Sequence, residues 1–545
     1  MFRKTDTAQQ GSLLSSVFQY LTAGSSKRFT DETAWQNIFY KQVICRIDEN
    51  LFSILFSSDN GAPNASIRTL IGMMILKEGA GYSDQKLFEN CHFNLLTRKA
   101  LGLINMDDPV PAESTYYMLR KRITEYHKET GIDLFEKTFQ KITKGQIIDF
   151  EVSGQSIRMD SKLIGSNIAF YSRYELIHKS LVLYYKHAYE KPFKFLSDQE
   201  RAELDEFVTE KSSATVYRST ESQIKERLIS LGKLIYKILN IVSESNNTHY
   251  QTLKRVFEEQ YKILDDNKIK ITPDKEITAK SVQSPYDTEC DFRTKTGKKT
   301  KGYNHNITET CDPINLINLI TVTQTAPATH PDNKFTEPAI KNSQEILSDN
   351  VENAHTDGAY NSEKNQTFTK KENINFYLTG FQGPTGQYDL TIKDGKIQVY
   401  DNLANTQIPV TVTKNNKYRI KTKTGYRYFT DKQIESCRLR KQAEQLPKEI
   451  RDKRNNVEAT IFQLAYHLRK DKTKYRGFFK NKIWAIFRSL WINFVRIAGN
   501  LIKGSQKIET NVRNTLCFSV FVNFIFLIFN LTRLESYKNS NCKLS

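Results

Sequence analysis

A carboxylate sits inside an otherwise apolar, strand-like run: Asp160 in SIRMDSKLIGSNIA. An ionised carboxylate in or beside a strand is costly unless it is paired or binds a metal. Any fold for this chain must therefore bring a partner to Asp160. Two further acids stand in comparable settings. Asp357, in NAHTDGAYNSEKNQ, falls where a strand breaks into a turn. Glu458, in RDKRNNVEATIFQL, follows Arg454 by four residues on a helical pattern, so the two share a face. Each acid alone also reads as structural; an Arg–Glu surface pair is worth roughly a few tenths of a kcal/mol. Together they are the residue types needed to hold two divalent cations, about 3.5–4 Å apart, over a phosphodiester.

The rest of the composition agrees with a polyanionic partner. The 545 residues carry a formal net charge of +19, with cations spread along the chain and interleaved with aromatics. That distribution favours nucleic acid over an anionic membrane. The seven cysteines form no CxxC pair, which argues against a disulfide framework or a tetrahedral zinc site and fits a reducing cytoplasm. The first residues, MFRKTDTAQQGSLLSS, lack an apolar core ahead of a cleavage site, so secretion is not expected. TLCFSVFVNFIFLIFNL (515–531) is nearly all apolar, but it is short for a membrane span and is interrupted by Asn523. No membrane partner is expected.

Periodicity divides the chain. Residues 1–150 read as helical, with Ser83 and Ser114 as N-caps and Leu87, Cys91, Leu95 and Leu96 on one face. The helix after Ser114 presents Arg120, Lys121 and Arg122, which suit either a DNA grip or an ordinary solvated face. Residues 151–174 begin an α/β core, 175–270 form a helical insertion, and 271–384 return to the core. Residues 385–430 are a small β module with Asp-Gly and Asn-Asn turns. Residues 431–505 are helical and very basic, and 506–545 form a tail. In the basic segment, Trp484, Phe487 and Trp491 recur at helical spacing, with Arg488 among them. Its cations, with KNNKYRIKTKTGYRYF and RTKTGKKTKGY, are candidates for phosphate contact.

Several of these motifs occur together in one known order. GAPNASIRTLIGMMILKEGAGYSDQKLFENCHFNLLTRKALGL, PAESTYYMLRKRI, MDSKLIGSNIA, SPYDTECDFRTKTGKKTKGYNHNITET, TDGAYNSEKN, RNNVEATIFQL and YRGFFKNK run from about residue 60 to 500. With them the chain resembles the DDE transposases of bacterial insertion sequences, of the insertion-sequence 1182 type, related to those of insertion sequences 4 and 5. The resemblance implies an RNase H-like catalytic core behind an all-α N-terminal domain. It implies Asp160, Asp357 and Glu458 as catalytic metal ligands for two Mg²⁺ or Mn²⁺ ions. It also implies Arg454, Tyr475 and Arg476 as DNA contacts. The partners implied are terminal inverted repeats and target DNA, with a homodimer holding two ends in a cytoplasmic, nucleoid-associated complex. Where the insertion-sequence 4 signature has a Tyr and a Lys near the Glu, this chain has Arg451 and Ala465. Lys470, Lys472, Lys474 and Arg476 are the candidates to replace them. The cysteine cluster seen before the Glu helix in relatives is reduced to Cys437. A catalytically inactive, transposase-derived DNA-binding protein is the alternative reading.

Overall fold

The computed structural model describes residues 1–5, 16–189, 195–264, 268–381, 387–393, 396–413, 417–422 and 424–510. The apolar stretch 515–531 lies outside them. Among the described residues no helix is long and apolar enough to cross a membrane.

The Asp160 run forms the strand Ser156–Gly165, central in a six-stranded mixed sheet. One side of it pairs antiparallel with Lys298–Thr310, which in turn pairs antiparallel with both Asp291–Lys295 and Ile320–Pro327. The other side pairs parallel with Asn353–Asp357, which pairs parallel with Asn375–Thr379. The antiparallel half is contiguous in sequence apart from the long excursion after residue 165. The parallel half needs crossovers, supplied by the helices Thr336–Leu347 and Glu363–Lys371. Where the central strands cross their neighbours' ends the backbones nearly touch. A Cβ on Gly302 would lie 2.2 Å from the carbonyl oxygen of Ile164, so only glycine fits there.

The N-terminal helices do not stand apart from this sheet. Ile67–Ala80, ended by Gly81 at φ 70°, buries Leu70, Ile71, Met74 and Ile75 in the same apolar cluster as Ile157, Met159 and Ile307. The long helix Phe478–Thr510 contributes Trp484, Phe487, Leu490 and Phe494 to that cluster. Trp484 and Phe487 are therefore core residues. Asn493 of this helix hydrogen-bonds both backbone groups of Ile320 (2.7 and 2.9 Å), which ties the helix to the sheet where the ladder slips at Thr308/Glu309. The segment 173–263 packs helices Arg173–His187, Asp198–Thr209, Glu221–Ile241 and Thr248–Gln260 around a second apolar cluster of its own. The strands Tyr388–Lys393 to Gly425–Phe429 make a third, built on Leu390, Val399, Ile420 and Phe429.

Two local expectations change. Ser83 caps its helix through Lys86 N (3.1 Å), but Ser114 caps nothing. The helix Glu113–Thr130 starts two residues earlier, with Ala112 as N-cap, so Ser114 lies inside its first turn. The face expected to carry Leu87, Cys91, Leu95 and Leu96 is broken at Asn94. Its side chain caps a new helix through Leu96 N and Thr97 N, and Leu96 turns outward.

His305, on the Lys298–Thr310 strand, is fully buried, with Nδ1 3.0 Å from Thr325 Oγ1 and its ring edge against Trp484. Burial pushes its pKa down to about 3. The unfolded imidazole takes up a proton near pH 6.5 and the folded one does not, so this contribution is present above pH 6.5 and is lost as pH falls. Between pH 6.5 and 5 it amounts to about 2 kcal/mol. In denaturant titrations at pH 7.5 and 5, a His305→Gln variant should lose about 2 kcal/mol less stability on acidification than the parent chain.

Candidate active site

Asp160 and Asp357 lie on adjacent parallel strands. Their pairing aligns Ser156 with Asn353 and Arg158 with His355, and the same offset carried two residues further sets Asp160 beside Asp357. Asp160 Oδ1 accepts from its neighbour Ser161 N (2.8 Å). Asp357 Oδ1 accepts from Ala359 N (2.9 Å) and so caps the turn Gly358–Tyr360. That turn anchors itself through Tyr360, fully buried, whose hydroxyl donates to Asn306 Oδ1 (2.6 Å). Both acids are raised. Burial pushes Asp160 up to about 6; the charge of Asp357 adds to the shift, and Arg454 opposes it. Asp357 is raised by burial, with Asp332 adding and Arg454 opposing. These two carboxylates share a desolvated site short of positive charge.

Glu458 lies on the helix Lys448–Ala465, and its side chain is 56% exposed. Arg454 bridges the Glu458 helix and Asp160. Its Nη2 is 2.9 Å from Glu458 Oε1 and 3.9 Å from Asp160 Oδ2, while its Nε is buried with no hydrogen-bond partner. The guanidinium also passes Gly380, at the end of the strand next to Asp357.

The helix is held over the sheet by a residue whose role the sequence does not announce. Glu309 is fully buried and accepts from Arg158 Nε (2.6 Å), Thr460 Oγ1 (2.8 Å) and Arg496 Nη1 (2.7 Å). Arg158 also donates to Lys453 O (3.1 Å). Burial alone would raise the Glu309 carboxyl, but Arg496 and Arg158 hold it below its ordinary value. A second clamp is Arg488, 4% exposed. It donates to Glu78 O (3.1 Å) and Gly79 O (2.7 Å) at the end of one helix, and to Leu464 O (3.1 Å) and Gln463 O at the end of the Glu458 helix. A cation at two helix C-termini satisfies carbonyls that have no partner within the helix. Arg488 is thus a structural residue rather than part of a solvated basic face.

Two more charged residues join the acids. Asp332 is buried, accepts from Asn304 Nδ2 (2.7 Å), and sits 3.8 Å from Lys295 Nζ. Lys295 lowers both Asp160 and Asp357. In the sequence Asp332 stands in a Pro-Asp-Asn turn, and nothing local links it to residues 160 and 357.

The basic candidates fall into two groups. Residues 471–475 run along the end of the central strand through Gly165 N to Asp471 O (2.8 Å), Thr473 N to Gly165 O (2.9 Å) and Asn167 N to Tyr475 O (2.8 Å). There Lys472 Nζ donates to Ile168 O, and the Tyr475 hydroxyl donates to Glu78. Arg120 packs over Tyr116 and Tyr475, 5.6 and 5.9 Å from the ring centres. These three are engaged within the chain. Lys470, Lys474, Arg476 and Arg122 are exposed, although Arg476 lies over Tyr286 and donates to Asn167 O (2.8 Å), Lys474 donates to Gly81 O (3.4 Å) and Arg122 lies over Phe56. The YDTECD motif holds this region together. Asp287 accepts from Tyr303 Oη (2.7 Å), Ser166 Oγ and Gly477 N (2.8 Å), and Glu289 accepts from Phe478 N (2.9 Å) at the start of the last helix.

Whether these acids suit a divalent cation is a question of donor chemistry. Asp160 and Asp357 each spend one oxygen on a backbone N–H, and their mutual repulsion in a buried place is what a hard cation relieves. The pair fits. Glu458 is turned to Arg454, and among the described residues no three His, Cys, Asp or Glu side chains converge closely enough to hold an ion. Glu458 completes the donor set only by exchanging its guanidinium partner.

Removing the central carboxylate should release the Glu458 helix. Glu309→Ala leaves Arg158 and Arg496 buried without their counter-charge and should cost about 3–5 kcal/mol in denaturant unfolding. Thr460→Val removes one hydrogen bond and should cost about 1 kcal/mol.

Comparison with known proteins bears on the N-terminal helices. Residues 30–122 match the family model described as Transposase domain (DUF772). No curated protein and no solved structure matches the chain. The matched stretch contains the helix Ile67–Ala80, whose end Arg488 caps, and most of the helix Glu113–Thr130. The match supports a transposase, and with it a DNA-processing enzyme that binds DNA.

Proposed function

We propose that the chain is a DDE transposase that cuts the ends of its own insertion sequence and joins them to target DNA. The observation that carries this reading is the placement of Asp160 and Asp357 side by side on the two central parallel strands, with Glu458 brought to them by Arg454. The strand order supports it further. In chain order four strands joined by antiparallel pairing are followed by two added in parallel, with the first acid on the first strand, the second at the end of the fifth and the third on a late helix, an order compatible with an RNase H-like core that carries the short extra strand Asp291–Lys295. The resemblance to the insertion-sequence 1182 type rests on the same three motifs.

On this reading Asp160, Asp357 and Glu458 would hold two Mg²⁺ or Mn²⁺ ions. When bound, such ions supply an activated water or hydroxyl and a stabilised leaving oxygen. The protein's own residues do the rest. The Glu309 network fixes the helix that carries Glu458. Arg454 orients Glu458 and, once freed from it, faces the DNA backbone. Lys470, Lys474 and Arg476 flank the central strand's end and would contact phosphates, giving affinity that falls steeply with salt. Holding two ends in one complex calls for a homodimer.

The Arg454–Glu458 pair also favours a second reading, a transposase-derived protein that binds DNA without cutting it. One experiment separates the two. With Mg²⁺ or Mn²⁺ and labelled duplexes spanning the ends of the element that carries the gene, the parent chain should nick the DNA. Asp160→Asn, Asp357→Asn and Glu458→Gln should each slow cleavage at least about a hundredfold while gel-shift affinity stays within about threefold. A parent chain that shifts the DNA without nicking it would establish the second reading.

A further inference from the structure

The β module carries a surface that neither the acid site nor the apolar cores use. The strands Tyr418–Thr422 and Gly425–Phe429 form an antiparallel hairpin, with Val410–Val412 on its outer edge. Ile420 and Phe429 point inward and are 1% and 5% exposed. The opposite face pairs Arg419 with Tyr428 and Lys421 with Tyr426 across the strands. Tyr426 and Tyr428 are 58% and 49% exposed. The Arg419 guanidinium lies 4.7 Å from the Tyr426 ring centre and also donates to Thr411 Oγ1 (3.2 Å), which holds it on this face. From Asn402 to Thr430 the chain contains no Asp or Glu, yet it carries Lys414, Lys417, Arg419, Lys421, Lys423 and Arg427.

Leaving two tyrosine rings in water on a short strand pair has a free-energy cost that inward placement would avoid. Cations alone would serve for duplex phosphates. Rings set among cations suit unpaired bases, whose faces are open to stack while their phosphates meet Arg and Lys; bases inside a duplex are already stacked and out of reach. The absence of acid from residues 402–430 gives the surface the complementary charge.

We propose that the face formed by Arg419, Lys421, Tyr426 and Tyr428 binds single-stranded nucleic acid, stacking bases on the two tyrosines and holding phosphates with the two cations. The module is wired to the acid site through the chain itself. It is entered from Phe381, which packs against Gly358 beside Asp357. It leads out into the helix Asp431–Gln445, which precedes the Glu458 helix and is bound back to the module by Lys441 and Asp389. The proposal rests on the reading of the chain as a DNA-handling transposase but not on its chemistry.

The test uses the full chain and fluorescence anisotropy with two probes, a labelled oligothymidylate and a labelled random-sequence duplex of equal length. The double variant Tyr426→Ala plus Tyr428→Ala should bind oligothymidylate at least about tenfold more weakly and the duplex within about twofold of the parent. Tyr428→Ala alone, which removes one half-exposed ring, should show part of the same selective loss. Arg419→Gln and Lys421→Gln should weaken binding to the oligothymidylate and flatten its salt dependence. Asp160→Asn should keep full oligothymidylate affinity, so a failure of the cleavage reading is seen separately. Unchanged oligothymidylate binding in the double variant, or equal loss on both probes, overturns the proposal. So does competition by polyglutamate as strong as by unlabelled oligothymidylate, which would mark an acidic-peptide surface instead.

Discussion

A single buried carboxylate, Glu309, ties the strand of Asp160 to the helix of Glu458 and to the last helix. It sits on the strand beside Asp160, takes hydrogen bonds from Arg158 on Asp160's own strand, from Thr460 on Glu458's helix, and from Arg496 on the last helix. One acid against two arginines in a dry interior is costly to assemble and more costly to break. Arg158 and Thr460 each lie two residues from a candidate acid, and Arg496 comes from the last helix, which packs on the Glu458 helix. The same network that makes the core specific thus sets how far the Glu458 helix stands from the sheet. Arg488 repeats the device at the other end of that helix, joining it to the helix Ile67–Ala80 in the stretch that matches a transposase domain.

At the acid site two cations, Arg454 and Lys295, face three acids. Asp160, Asp357 and Asp332 are gathered where burial and mutual repulsion raise the first two. Arg454 and Lys295 offset that charge only in part. Arg454 is the residue on which the site turns, since it is bound to Glu458 at 2.9 Å and reaches Asp160 at 3.9 Å. A cation arriving between the acids would compete with a guanidinium already there.

Much of this was legible in the amino-acid order because it depends on local chemistry. The strand around Asp160, the turn after Asp357 and the helix shared by Arg454 and Glu458 follow from residue periodicity and from the cost of an unpaired charge. What was hidden is non-local. Glu309 reads as one polar residue in Thr-Glu-Thr, and its partners lie 151 and 187 residues away. Lys472 and Tyr475 read as free members of a basic segment, yet the segment lies along the end of the central strand and engages them there. Arg488 looked like one more cation on a helix because amphipathic periodicity does not show that both faces of that helix are covered. Leu96 was misplaced for a local reason, since an asparagine inside an apolar pattern can end one helix by capping the next.

The central claim is that Asp160 and Asp357 form a binding site for a hard divalent cation that Glu458 completes. Crystals of the full chain soaked in Mn²⁺ and recorded at the manganese absorption edge test it directly. The account predicts anomalous density between Asp160 and Asp357, with Glu458 swung from Arg454 toward it, and no such density in Asp160→Asn crystals. A parent crystal with no anomalous peak at these acids and the Arg454–Glu458 pair intact would contradict it.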